Sequence, residues 1–242
     1  MKQPIEQVAL VTGAGSGIGK AIALALGGEG KTLLLVGRRR VPLDEVGAVL
    51  AAGGASAISY PTDLADRNAI VELAAAVARD FGRLDVLVHS AGIMRMGDVA
   101  DASADDFELL FRTNVLAPFL LTQAMLPLIR DQRGQIVFIN SSAGLVARAH
   151  LGPYAATKHA LKAVADSLRA EVNASGIRVL SIYPGRTATP TQERLHALEQ
   201  KAYVPERLLQ PDDVAAVVIN SLCLPRTAEV TDIHIRPMLK SD

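Results

Sequence analysis

A phenol and an ammonium stand four positions apart in the run Leu151-Gly152-Pro153-Tyr154-Ala155-Ala156-Thr157-Lys158. On a helix, residues at i and i+4 share one face, so this spacing brings the two groups together. An unperturbed tyrosine has a pKa of about 10 and shuttles protons poorly near neutrality. A fixed positive charge beside it favours the phenolate. Lowering the pKa by roughly three units corresponds to about 4 kcal/mol of differential interaction, much of which one partly desolvated lysine can supply. The pair therefore reads as an acid–base tyrosine whose pKa is expected to fall under the influence of Lys158. A second hydroxyl source lies upstream, where the apolar run Phe138-Ile139-Asn140 ends in Ser141-Ser142. A third feature, the turn Thr12-Gly13-Ala14-Gly15-Ser16-Gly17-Ile18-Gly19, has the glycines that let backbone approach a pyrophosphate at a helix N-terminus.

These groups can meet only if the chain carries them to one edge of a sheet. Short apolar runs alternate with longer helical patterns along the whole chain, as expected of βαβ units in a parallel sheet. Strands are expected near Gln7–Val11, Thr32–Val36, Ser56–Tyr60, Leu84–His89, Gln135–Asn140, Arg178–Tyr183 and Val230–Ile235. Helices are expected near Gly17–Gly28, Leu43–Ala52, Arg67–Phe81, Asp105–Arg130 with a break around Asn114–Pro118, Tyr154–Ala174 and Asp212–Leu222. The fold class is α/β: one Rossmann-like, doubly wound domain over residues 1–242, with a seven-stranded, mainly parallel sheet and helices on both faces. The mixed-polarity stretch 187–210, with Pro190, Pro205 and a helical pattern around Glu193–Lys201, is expected to form a flap over the substrate.

Composition narrows the function. With 242 residues, one domain with a sizeable core is expected. Half of the residues are hydrophobic and there is no Trp, so the core must be aliphatic, which suits strands covered on both faces. Lys and Arg balance Asp and Glu at 25 each, giving no broad field to attract nucleic acid or an anionic membrane. No uncharged apolar run reaches the roughly 18 residues of a membrane span. The single Cys223 cannot form an intrachain disulfide, and Met1-Lys2-Gln3-Pro4-Ile5-Glu6 lacks the apolar stretch of a signal peptide, so the cytoplasm is the expected compartment. No metal site is expected.

The spacing Gly-x-x-x-Gly-x-Gly and the Tyr-x-x-x-Lys pair resemble the short-chain dehydrogenase/reductase family in its single-domain form of about 250 residues. The resemblance covers essentially the whole chain. Separated matches occur in order: Thr12 to Gly19, Asp63-Leu64, Ala91-Gly92, Asn114, Ser141, Tyr154 with Lys158, and Pro184-Gly185 through Thr189. By this resemblance Tyr154 is the proton donor and acceptor. Lys158 tunes it and grips the nicotinamide ribose. Ser141, thirteen positions before the tyrosine as in the family, holds the substrate oxygen, with Ser142 in reserve. Asn114 interrupts a helix and holds a water that links Lys158 to solvent. The dinucleotide is expected on Gly13, Gly15, Ser16, Gly17, Ile18 and Gly19; on Asp63 and Leu64 around the adenine; on Ala91 and Gly92; and on Pro184, Gly185, Thr187 and Thr189 around the carboxamide. Read without the family, Asp63 equally well caps the next helix and Asn114 is a packing or bending residue. One departure stands out: His89-Ser90 replaces the Asn-Asn of many relatives, and His89 reads as a strand-end structural residue.

The second strand ends Val36-Gly37-Arg38-Arg39-Arg40, with no acid before Asp44. NAD sites usually carry a carboxylate there for the ribose, whereas a 2′-phosphate is held by guanidinium groups. NADP(H) is therefore the expected cofactor, on Arg38 and then Arg39, with NAD still possible. The expected reaction is hydride transfer between the nicotinamide and a secondary alcohol or ketone, as in a carbonyl reductase. Two alternatives stay open, an epimerase or dehydratase on the same scaffold and a non-catalytic NADP-binding redox sensor. Around the substrate, Met94, Met96, Leu145 and Val146 are apolar, while Arg95, Arg148 and His150 either meet an anionic group or face water. The final strand, Val230 to Pro237, lacks the Gly-Gly ending of many relatives, which leaves that wall undefined. A homodimer or homotetramer through the helices Asp105–Arg130 and Tyr154–Ala174 is expected.

Overall fold

A computed structural model gives the fold, and it describes residues 7–239; Met1–Glu6, read above for targeting, lies outside the described residues. Every expected strand is present: β1 (Val8–Thr12), β2 (Thr32–Gly37), β3 (Ala57–Pro61), β4 (Val86–His89), β5 (Gln135–Ile139), β6 (Arg178–Pro184) and β7 (Asp232–Ile235). They form one sheet in the order β3-β2-β1-β4-β5-β6-β7, with all pairs parallel. The helices between them are α1 (Gly17–Gly28), α2 (Arg40–Ala52), α3 (Arg67–Phe81), α4 (Ala104–Phe111), α5 (Ala117–Arg130), α6 (Gly152–Val172), α7 (Pro190–Leu198) and α8 (Pro211–Leu222).

Side chains alternate across a strand, so each central strand serves two cores. Val8, Leu10, Leu34 and Val36 face one layer with Ile70, Leu73 and Val77 of α3, Leu121 and Met125 of α5, and Leu161 of α6. Ala9, Val11, Leu33 and Leu35 face the other, with Ile22 and Leu26 of α1, Val46 and Leu50 of α2, and Val214 and Val218 of α8. Continuous burial on both faces explains why these strands are aliphatic runs and show no polar alternation. The run Ala104–Arg130 is long and apolar enough to cross a membrane by length and composition. Here Leu121, Met125 and Ile129 lie in the first of those cores.

Three local expectations change. Asp66, not Asp63, caps α3: its carboxylate accepts from the amide of Asn68 at 2.8 Å, whereas Asp63 accepts from Ala65 at 3.0 Å in the preceding turn. The helix expected from Asp105 to Arg130 is continuous in path but changes pitch, with a π turn over Arg112–Leu116 between α4 and α5. The helix of the 187–210 stretch begins at Pro190, three residues before the pattern suggested, because Thr189 caps it by accepting from the amide of Gln192 at 3.2 Å.

Candidate active site

The sheet order reverses between β1 and β4, and in open α/β sheets the crevice beyond the carboxyl ends at such a point is where ligands bind. Thr12, at the end of β1, ties the two halves together there. Its hydroxyl accepts from the amides of Ser90 and Ala91, both at 3.0 Å, and donates to the carbonyl of Val88 at 3.3 Å. The turn that follows has no room for a side chain at Gly13, Gly17 or Gly19. Gly13 has φ +69°, and a Cβ there would sit 3.0 Å from the backbone of Ala91; at Gly19 it would sit 2.4 Å from the carbonyl oxygen of Gly13. Gly17, with φ +52°, opens α1 and lies against the Thr189 methyl, 3.0 Å from a Cβ built on it. The N-terminus of α1 thus points its free amides into a cleft of about 730 Å³.

Opposite the turn, β5 ends and the chain winds into a short 3₁₀ turn over Ser142–Gly144, capped by Ser141, whose hydroxyl accepts from the amide of Ala143 at 3.1 Å. Gly144 lets this turn lie against α6, since a Cβ there would be 2.9 Å from the carbonyl oxygen of Lys158. Asn140 fastens the same junction by donating to that carbonyl at 3.1 Å, while its own buried Oδ1 has no partner among the described residues. Lys158 and Tyr154 lie on the same face of α6, with the ammonium 5.9 Å from the phenol ring centroid. The Lys158 ammonium is buried and donates to the carbonyl of Ile139 at 3.2 Å. Desolvation lowers its pKa to about 8.

The expected lowering of the Tyr154 pKa is reversed. Burial pushes the phenol above its ordinary value, and a hydrogen bond with Ser141 offsets this only in part. The lysine charge is itself poorly solvated and turned toward a backbone carbonyl, so desolvation outweighs its pull on the phenol.

Asn114 sits in the π turn and is fully engaged. Its Oδ1 accepts from the amide of Ile93 at 2.9 Å, and its Nδ2 donates to the carbonyl of Ile93 at 2.9 Å and to Thr157 at 3.2 Å. The Thr157 hydroxyl in turn donates to the carbonyl of Tyr154 at 2.8 Å. Asn114 therefore joins the loop after β4 to the turn of α6 that carries the tyrosine. A π turn fits here because it diverts one side chain of the helix into tertiary bonding.

The sequence profile described as short chain dehydrogenase matches residues 7–200. The chain belongs to the short-chain dehydrogenase family. An uncharacterized oxidoreductase of Staphylococcus aureus (strain USA300) is 32% identical over 234 residues, covering 96% of this chain and 98% of that protein. Among solved structures, an alcohol dehydrogenase from the archaeon Thermococcus sibiricus, complexed with 5-hydroxy-NADP, superposes with a TM-score of 0.89 at 25% identity, over 98% of this chain and 99% of that one. A metagenomic short-chain oxidoreductase in complex with NADP gives a TM-score of 0.84 at 31% identity, over 96% and 98%. This short-chain dehydrogenase is accordingly an oxidoreductase.

Most residues expected in the site of the dehydrogenase line its cleft: Gly13, Ser16, Gly17, Ile18, Gly19, Ala91, Gly92, Ser141, Tyr154, Lys158, Pro184, Gly185, Thr187 and Thr189. Gly15, Arg38, Arg39, Asp63 and Leu64 lie outside its walls. Gly15 packs on Pro42, Arg38 and Arg39 are exposed just past β2, and Asp63 and Leu64 follow β3. Asn114 stands behind the cleft and acts through Ile93 and Thr157. His89 is the structural residue expected: it is buried, stacks on Phe138 at 4.8 Å, lies 2.8 Å from the Thr122 hydroxyl, and is held neutral with a pKa of about 3 by desolvation.

Three contributors escaped the sequence reading. In the sequence Thr12 figures only as the start of the glycine turn, and Asn140, next to the serines, reads as the end of a strand. The third is an ion pair across the 187–210 stretch, where the Arg186 guanidinium meets the Glu199 carboxylate at 2.7 and 2.8 Å. At the base of the stretch, Ala188 donates to Leu209 at 2.7 Å and Leu209 to Arg186 at 3.1 Å, so the segment forms a closed loop.

Proposed function

We propose that this dehydrogenase transfers hydride between NADP(H) and a secondary alcohol or ketone, with Tyr154 as the acid–base group. The observation that carries the reading is the convergence of Ser141, Tyr154 and Lys158 in one cleft with the glycine turn. The residues present fit a dinucleotide, because glycine at 13 and 17 lets the turn close on Ala91 and Thr189 with its backbone bare beside the cleft at the N-terminus of α1. When bound, the nicotinamide supplies or accepts the hydride. Gly13 and Ser16 to Gly19 would hold the pyrophosphate, Lys158 the nicotinamide ribose and Thr187 and Thr189 the carboxamide. Asp63 and Leu64 would border the adenine. NADP(H) is favoured over NAD because Arg38 and Arg39 stand at the end of β2, where no carboxylate competes, and because the two solved relatives carry NADP or a derivative of it.

In reduction, the Tyr154 hydroxyl donates its proton to the substrate oxygen while Ser141 donates a hydrogen bond to the same atom. A phenol whose pKa burial has raised is protonated at neutral pH, which is the form reduction needs. With a pKa of about 8, Lys158 keeps its charge at pH 7 and stabilises the negative charge that develops around the reacting oxygen. Asn114 keeps the turn of α6 that bears the tyrosine in register.

Tyr154→Phe tests the assignment. Removing a general acid typically loses 10²- to 10⁴-fold in rate. We expect a loss of that order in NADPH-dependent ketone reduction with NADPH binding retained; near-normal turnover would refute the acid–base role. An epimerase would show no net oxidation of NADPH, and a pure sensor would not need Ser141, Tyr154 or Lys158. We further propose a cytoplasmic homo-oligomer that uses no nucleic acid and no membrane. The balanced charge supports this, as do Phe107, Phe111 and Phe119, exposed on α4 and α5 where a second copy would cover them. A monomer by light scattering at micromolar concentration would contradict the assembly.

A further inference from the structure

The reductase reading leaves the chemistry of the substrate open, because cations and apolar side chains both border the reacting end of the cleft. Pairing removes most of that ambiguity. Arg186 is spent on Glu199 at 2.7 and 2.8 Å, and Lys201 lies 4.0 Å from the same carboxylate. His150 is bound to Asp98 at 2.5 Å, and the neighbouring Arg95 to Asp106 at 3.5 Å. A substrate anion would have to displace an acid from each of these side chains. Apart from Lys158, buried against the carbonyl of Ile139 and assigned above to the nicotinamide ribose, Arg148 is the one cation on the reacting side with no acidic partner among the described residues, and it is exposed.

Arg148 aside, much of the open surface at this end of the cleft is apolar. Met94 and Met96 lie on the loop after β4, Val146 on the turn after β5, and Leu195 and Leu198 on α7. Two of these are unusually open for their type and come from different segments bordering the cleft: Val146 is 64% exposed and Leu198 71%. An apolar chain lying between them would remove both from water, which a compact polar substrate would not do.

Resting on the reductase reading, we propose that the substrate is an uncharged ketone or secondary alcohol with an apolar arm of several carbons. Its carbonyl is at Ser141 and Tyr154, and the arm runs out between Val146 and Leu198. Arg148 stays in water and reads no group of the substrate.

The experiment follows NADPH oxidation with 2-butanone, 2-hexanone and 2-octanone, with 7-oxooctanoate as the charged counterpart of 2-octanone. A methylene moved out of water is worth about 0.8 kcal/mol, so kcat/KM should rise about three- to fourfold per carbon until the arm clears Leu198. The keto acid should be at least tenfold poorer than 2-octanone. Leu198→Ser and Val146→Ser, both at exposed positions, should flatten the rise with length, the loss being greatest for 2-octanone. Arg148→Ala should leave the preference for the neutral ketone in place. Rates independent of chain length, or a keto acid preferred in a manner that Arg148→Ala abolishes, overturn the proposal while the reductase reading survives. Wild-type protein that binds NADPH but shows no NADPH oxidation with these or any other ketones overturns both.

Discussion

Lys158 is both a proposed catalytic group and a destabilising one, and the two roles can be separated. It is 5% exposed, and desolvation lowers its pKa from 10.5 to about 8. A shift of that size corresponds to about 3 kcal/mol by which the folded state disfavours the charged side chain below pH 8. Lys158→Met keeps the volume and removes the charge. It also removes the donor to the carbonyl of Ile139, which costs about 1 kcal/mol. The cofactor-free variant should therefore be more stable than wild type at pH 7 by about 2 kcal/mol, or about 4–8 °C in Tm for a chain of this size. The pH dependence identifies the cause. The unfolded chain keeps the ε-proton up to about pH 10.5 while the folded chain releases it near 8, so folding excludes a proton in that window and wild-type stability rises with pH across it. The variant's advantage should shrink from pH 8 upward, vanish, and give way to wild type being more stable by about 1 kcal/mol near pH 10.5, the value of the lost hydrogen bond. Chemical denaturation at half-unit pH intervals reads both effects, and turnover should be lost in the variant at every pH. A variant less stable than wild type at pH 7, or a gap that does not change with pH, would show that desolvation of Lys158 has been misjudged.

Three other outcomes follow from the same geometry. For Arg38→Ala we expect weaker NADPH binding, by tenfold or more, with NADH binding little changed; equal losses by fluorescence titration would remove the phosphate assignment. For the pH profile of ketone reduction, kcat/KM should be level through neutrality and fall above about pH 8 as Lys158 loses its proton, while alcohol oxidation should improve with rising pH because the raised pKa of Tyr154 must be overcome to form the base. Gly19→Ala drives a methyl to 2.4 Å from the carbonyl oxygen of Gly13, a backbone atom that no rotamer change can move aside; we expect about 1–3 kcal/mol of destabilisation and weakened cofactor binding. Its control, Gly28→Ala, meets nothing within 4 Å and should be neutral or slightly stabilising in urea denaturation.

The strands were legible because each central one is buried on both faces and must be aliphatic throughout, a pattern a single sequence displays directly. Helix ends were legible where a local rule sets them, as at Arg67–Phe81, closed by Gly82 in the left-handed region. The start of α7 was misplaced because its cap, Thr189, was read as a cofactor contact, and one side chain can be both. The π turn at Asn114 could only be suspected as a break, since it depends on bonds to Ile93 and Thr157, 21 and 43 positions away.

The proposed catalytic pair was legible for the opposite reason, that it is compact in sequence. Tyr154 and Lys158 are one helical turn apart, so residue type and spacing put them together without knowledge of the fold. The spacing gave no measure of how much water each would lose, and that decides the sign of the tyrosine shift. The same limit governs the substrate. Arg186 and Glu199 are 13 residues apart, and Asp98 and His150 are 52 apart. Neither pairing has a local signature, so in the sequence these residues look like free charges waiting for a ligand. Only when the topology brings the loops together do the charges meet one another. What the cleft then offers a substrate is the apolar surface left between them, which is why its chemistry had to be read from the fold.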